Sequence, residues 1–64
     1  MFIRLTLNYS GEPILINLDM VTAFHKNFND GGCWVDYVGG DIGYRVTESL
    51  DEIQALISAR IMNP

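Results

Sequence analysis

One stretch of this chain, Ser49 to Ile61, has the period of a helix, and it closes a sequence that otherwise reads in short strands. Ser49-Leu50-Asp51-Glu52 fits a capping box, in which the Ser49 hydroxyl and the Glu52 carboxylate satisfy free N–H groups at the helix start. Asp51 and Glu52 put negative charge at the positive end of the dipole, and Arg60 puts positive charge near the other. At about 100° per residue, Leu50, Ile53, Ile57 and Ile61 fall on one stripe, with Leu56 on its flank. A helix of about three turns is marginal alone in water. The stripe therefore predicts a helix packed on whatever the preceding residues build. A membrane-surface helix would want a basic polar face, which this one lacks.

The preceding residues read as strands. Phe2 to Leu7 alternates, with Ile3, Leu5 and Leu7 on one face and Phe2, Arg4 and Thr6 on the other. Asn8 to Glu12 carries turn residues, Pro13 opens a second strand through Ile14-Leu15-Ile16, and Asn17-Leu18-Asp19 makes a tight connection. Met20 to Lys26 gives a third strand with weak alternation, and Asn27 to Gly32 gives a loop. Cys33 to Val38 resumes a period of two, Gly39-Gly40-Asp41 turns, and Ile42, Tyr44 and Val46 share one face of the last strand. Strand-sized pieces at short, even spacing predict an α+β fold: an antiparallel β-meander of about five strands with one C-terminal α-helix packed on one face. Residues 1–64 are expected to form a single small domain.

At 64 residues such a chain buries only about 60% of its unfolded surface. Small domains supplement a core of this size with disulfides, metal or self-association. A single cysteine, Cys33, excludes an intrachain disulfide, and with the single His25 it argues against a closed structural zinc site. Self-association is what remains, most simply as a homodimer. A net charge of −4 disfavours general binding to phosphate backbones. No secretory signal is recognisable and the apolar runs are too short to span a bilayer, so the expectation is a cytoplasmic protein without membrane contact.

The residues Arg4-Leu5-Thr6-Leu7-Asn8, Gly11-Glu12, Ile14 to Asp19 and Tyr44 to Ile53 together resemble the small FlbD-type proteins. These occur in flagellar gene clusters, with similar short proteins in phage and prophage. The likeness covers both ends of the chain and leaves out Phe24 to Gly40. The resemblance bears on the fold and not on the function: it supplies no catalytic residues, and a flagellar role follows from it by analogy only. The expected partner is a host or phage protein.

The candidate site follows from the assignment of faces. If Ile3, Leu5, Leu7, Ile14, Ile16, Val35, Tyr37, Ile42, Tyr44 and Val46 cover the helix, the opposite face gathers Phe2, Arg4, Leu15, Phe24, Lys26, Trp34 and Arg45. That parity holds for regular strands; one bulge reverses it. A large exposed apolar patch with Trp and Arg marks a contact surface. The expected function is a non-enzymatic adaptor acting through protein–protein contacts as a homo-oligomer. The alternative is a module that holds a small anionic or nucleotide-like ligand stacked on Trp34 beside Arg4 or Arg45. Single-stranded nucleic acid on the same surface ranks below both.

No catalytic residues, metal ligands or cofactors are assigned. His25 and Cys33 lack a third group to orient them as a base and nucleophile, so Cys33 reads as a small buried hydrophobe. Asn27 to Gly32 lacks the acidic spacing of a calcium loop and reads as solvated. Gly39 to Gly43 precedes no helix and makes no phosphate cradle. Asp36 and Asp41 read as solvated carboxylates.

Overall fold

A computed structural model of the chain describes residues 1–40 and 43–62. Strands β1 (Phe2–Thr6) and β2 (Pro13–Asn17) form an antiparallel hairpin. A 3-10 turn at Leu18–Met20 leads into β3 (Val21–Lys26), which pairs with β4 (Cys33–Tyr37), and β4 pairs with β5 (Tyr44–Val46), both antiparallel. Helix α1 (Leu50–Met62) ends the chain. The architecture is α+β, with five strands in two antiparallel sheets and one C-terminal helix. The expected turn residue Asp41 and the expected core residue Ile42 lie outside the described residues.

The first turn is set by Gly11, whose φ of 75° is in the region that favours glycine. Across it the Leu7 N–H bonds to the Glu12 carbonyl, and the Gly11 N–H bonds to the Leu7 carbonyl. The two sheets meet where the end of β1 runs beside the end of β5. An isolated bridge joins Leu7 to Val46, the Asn8 N–H bonds to the Arg45 carbonyl, and the Thr47 N–H bonds to the Thr6 carbonyl. Strands β2 and β3 are not paired; the 3-10 turn connects them, and in it the Asn17 side chain accepts from the Asp19 N–H at 3.1 Å.

The core lies between the sheets. Ile3, Leu5, Ile16, Cys33, Val35, Val46 and Ile53 are buried in one cluster, with Ile14, Leu18, Val21, Phe24, Tyr37, Tyr44 and Ile57 packed around it. Six of the seven buried residues come from strands, and each large side chain fully buried there contributes roughly 1.5–3 kcal/mol. Tyr37 and Tyr44 close one side edge to face, with ring centres 5.3 Å apart.

Close approach sets one position. A Cβ on Gly32 would stand 2.1 Å from the Val46 carbonyl oxygen, so only glycine lets the loop reach β5.

The helix is less central than its sequence predicts. Its capping box forms, with the Glu52 N–H bonding to Ser49 Oγ at 3.1 Å and Glu52 Oε1 accepting from Ser49. Of the expected stripe, however, Ile53 is buried and Ile57 partly so, while Leu50 and Ile61 are exposed, Ile61 at 67%. The reason is that the inner faces of the two sheets supply six of the seven buried core residues, so the helix adds one, Ile53, with Ile57 packed partly buried beside it.

Candidate functional site

The outward face of β3–β4–β5 is built around a cross-strand row. His25 stands opposite Trp34, and Trp34 stands opposite Arg45. The Arg45 guanidinium carbon lies 5.2 Å from the Trp34 ring centre. Beside the row, His25 Nε2 and Asp36 Oδ2 are 2.7 Å apart, so the Asp36 carboxylate, half-exposed to solvent, also has a side-chain partner.

Asp30 ties this face to the loops. Its Oδ1 accepts from the Gly32 N–H at 2.9 Å. Its Oδ2 accepts from Asn8 Nδ2 at 3.0 Å, Asn27 Nδ2 at 3.3 Å and Arg45 Nη2 at 3.3 Å. Arg45 is thereby neutralised within the chain, and its buried Nε has no hydrogen-bond partner among the described residues. The loop is exposed from Phe28 to Gly31, as its composition predicts, while Asn27 at its start is only 4% exposed and its Oδ1 accepts from the Asn29 N–H at 3.0 Å. Phe28 stands out from the loop with Lys26 Nζ 5.3 Å from its ring centre.

The outward face of β1–β2 is a different surface. Arg4 stands directly opposite Leu15, and Phe2 opposite Asn17. Phe2 is 52% exposed and Leu15 65%, and Arg4 lines a shallow groove with Pro13, Ile14 and Leu15. Arg4 also borders a second groove with Glu48, Glu52, Ala55 and Leu56 of the helix flank.

The seven residues expected on one face thus divide. Phe2, Arg4 and Leu15 share the outer face of one sheet, and Trp34 and Arg45 share the outer face of the other. Phe24 does not join either. The register shifts between Val21 and Ala23, a bulge at Thr22, so Phe24 stands opposite Val35 on the inner face. There it packs against the core and borders a groove with Leu50, Ile53 and Ile57. Lys26, two residues on, has the same parity and stands opposite buried Cys33; it is exposed at the strand end, near Ser49 and Asp51.

Cys33 is fully buried with no disulfide partner, and burial first, then the charges of Asp30, Glu48 and Glu52, push its thiol pKa up. His25 is exposed on the outer face, so the thiol and the imidazole are on opposite sides of the sheet. Two arrangements escaped sequence reading. The Asp30 hub was signalled only by the loop's run of Asn, Asp and Gly, which favours side-chain-to-backbone bonds without saying which strands they join. The pairing of Glu48 with Thr6 spans 42 positions and leaves no local signal.

Among the described residues no three His, Cys, Asp or Glu side chains gather as a metal-ligand group, and no helix is long and apolar enough to cross a membrane. No protein-family model, no curated protein and no solved structure matches this chain.

Proposed function

We propose that this chain is a non-enzymatic adaptor that acts through protein–protein contacts as a homo-oligomer, most simply a dimer. One observation carries the reading: the β1–β2 hairpin is apolar on both faces. Ile3, Leu5, Ile14 and Ile16 face the core, while Phe2, Pro13 and Leu15 face solvent around Arg4. The fold uses only the first set, and an outward apolar face with an arginine is the composition of a contact surface. The flagellar or phage setting implied by the FlbD-type resemblance belongs to the same proposal, as does a host or phage protein as the further partner.

The ligand reading has less support. It needs a free cation beside Trp34, and Arg45 already stacks on that ring and bonds to Asp30. Light scattering of the wild-type chain over a concentration series tests the adaptor reading. The expected result is a mass of twice the chain or more at high concentration; a strict monomer throughout would overturn it.

A further inference from the structure

Among the described residues, strand β2 is a sheet edge that pairs with β1 on one side and with no strand on the other. The Leu7 N–H bonds to the Glu12 carbonyl and the Leu18 N–H to the Met1 carbonyl, so the odd-numbered residues of β1 are the ladder partners of Ile14 and Ile16. Pro13, Leu15 and Asn17 therefore turn their backbone groups the other way, where no strand of the described residues pairs with them. Pro13 has no N–H to offer, and the Asn17 carbonyl is taken by the 3-10 turn it caps. What remains is two donors, the N–H groups of Leu15 and Asn17, and two acceptors, the carbonyls of Pro13 and Leu15.

Resting on the self-association proposed above, we infer that the seam is β2 paired antiparallel with β2 of a second copy, with the two-fold axis at Leu15. In that register each Leu15 N–H meets the other copy's Leu15 carbonyl, and each Asn17 N–H meets the other copy's Pro13 carbonyl. All four kinds of group are used, and the one position lacking a donor faces the one carbonyl already engaged. A two-fold seam must be self-complementary in this way, whereas a docked helix would leave both donors unpaired. The side chains agree. The two Leu15 residues come side by side on the outer face, and Ile14 of each copy stands across from Ile16 of the other. Each copy carries a net charge of −4, yet no carboxylate lies between Pro13 and Asn17, and Arg4 flanks Leu15. Natural edges are commonly guarded by charged side chains; β2 has none, and its only guard is Pro13 at one end.

Crosslinking tests the register. Leu15→Cys places two thiols on directly opposed residues, whose Cα atoms in such a pair are about 5.5 Å apart, within disulfide reach. Buried Cys33 stays in place as an unreactive thiol. Under diamide, Leu15→Cys is expected to form linked dimers at least about tenfold faster than Tyr9→Cys, a turn residue away from the seam. Leu15→Pro, which removes the central N–H without touching the bonds to β1, is expected to raise the dimer dissociation constant at least about tenfold by sedimentation. Should that variant lose its far-UV circular dichroism spectrum, Leu15→Lys serves instead with the same expectation. If the wild type dimerises but Leu15→Cys links no faster than Tyr9→Cys and Leu15→Lys associates normally, the seam is elsewhere: this inference falls and the adaptor reading stands. A wild type that never associates overturns both.

Discussion

Glu48 holds Thr6 twice, accepting from its backbone N–H and from its hydroxyl, each at 2.9 Å. The Thr6 N–H points away from β2, on the side where the Thr6 carbonyl accepts from the Thr47 N–H, and it bonds to the Glu48 carboxylate. The bond also fixes the chain just ahead of the Ser49 cap, so the sheet and the helix start are registered to each other.

Removing that carboxylate strands a backbone donor. Glu48→Ala is expected to lower stability by about 1–3 kcal/mol in urea unfolding, and Thr6→Val, which keeps the N–H bond, by less. Equal losses from both would assign the effect to the hydroxyl alone.

Gly32→Ala drives a methyl group into the Val46 carbonyl. Because both atoms belong to backbone, relief requires the loop to leave β5, and a loss of about 3 kcal/mol or more is expected from overpacking of this kind. A variant of wild-type stability would show that the loop yields freely.

The helix should be uneven in its sensitivity. Ile53→Ala removes a side chain only 2% exposed and is expected to cost about 2–5 kcal/mol. Ile61→Ala, on the same predicted stripe, is expected to change stability by no more than about 0.5 kcal/mol. Thermal unfolding of the pair distinguishes a deep anchor from a uniformly buried stripe.

Cys33 gives a pH dependence with a definite sign. Its thiol pKa is raised in the folded chain above the ordinary value of 9.0, so the folded state keeps the proton that the unfolded state loses. Its contribution to stability is complete below that ordinary value and is lost as the pH rises above it toward the folded pKa, with a slope of at most about 1.4 kcal/mol per pH unit. Relative to Cys33→Ala, the wild type should weaken from about pH 9 upward. A thiol-specific disulfide reagent at neutral pH should react with the native chain only as fast as it opens.

Trp34 and Arg45 should be coupled. A double-mutant cycle with Trp34→Ala and Arg45→Ala is expected to give an interaction of about 0.5–1 kcal/mol, typical of a half-exposed cation on a ring. Additive losses would mean that the stacking contributes nothing beyond the individual side chains.

Much of the fold was legible because it is local. The alternation of Ile3 and Leu5, the Asn8–Glu12 turn and the Ser49–Glu52 cap each specify structure within a few residues. The face of Phe24 was not, because a bulge at Thr22 depends on how β3 meets β4, and nothing in Val21-Thr22-Ala23 announces the extra residue. The limited reach of the helix was hidden for a similar reason. The stripe from Leu50 to Ile61 states what the helix can bury, while the strand residues that already fill the core decide what it does bury. Of the candidate surface, the Trp34–Arg45 neighbourhood followed from strand period alone; its neutralisation by Asp30 required the loop to fold back.

Ile53 and Ile57 both sit in the first two turns of α1, so the helix is moored near one end only. Fraying should therefore be graded along it, with the hydrogen-bonded amides from Ile53 to Ile57 exchanging only when the whole domain opens and those toward Met62 exchanging through small local excursions.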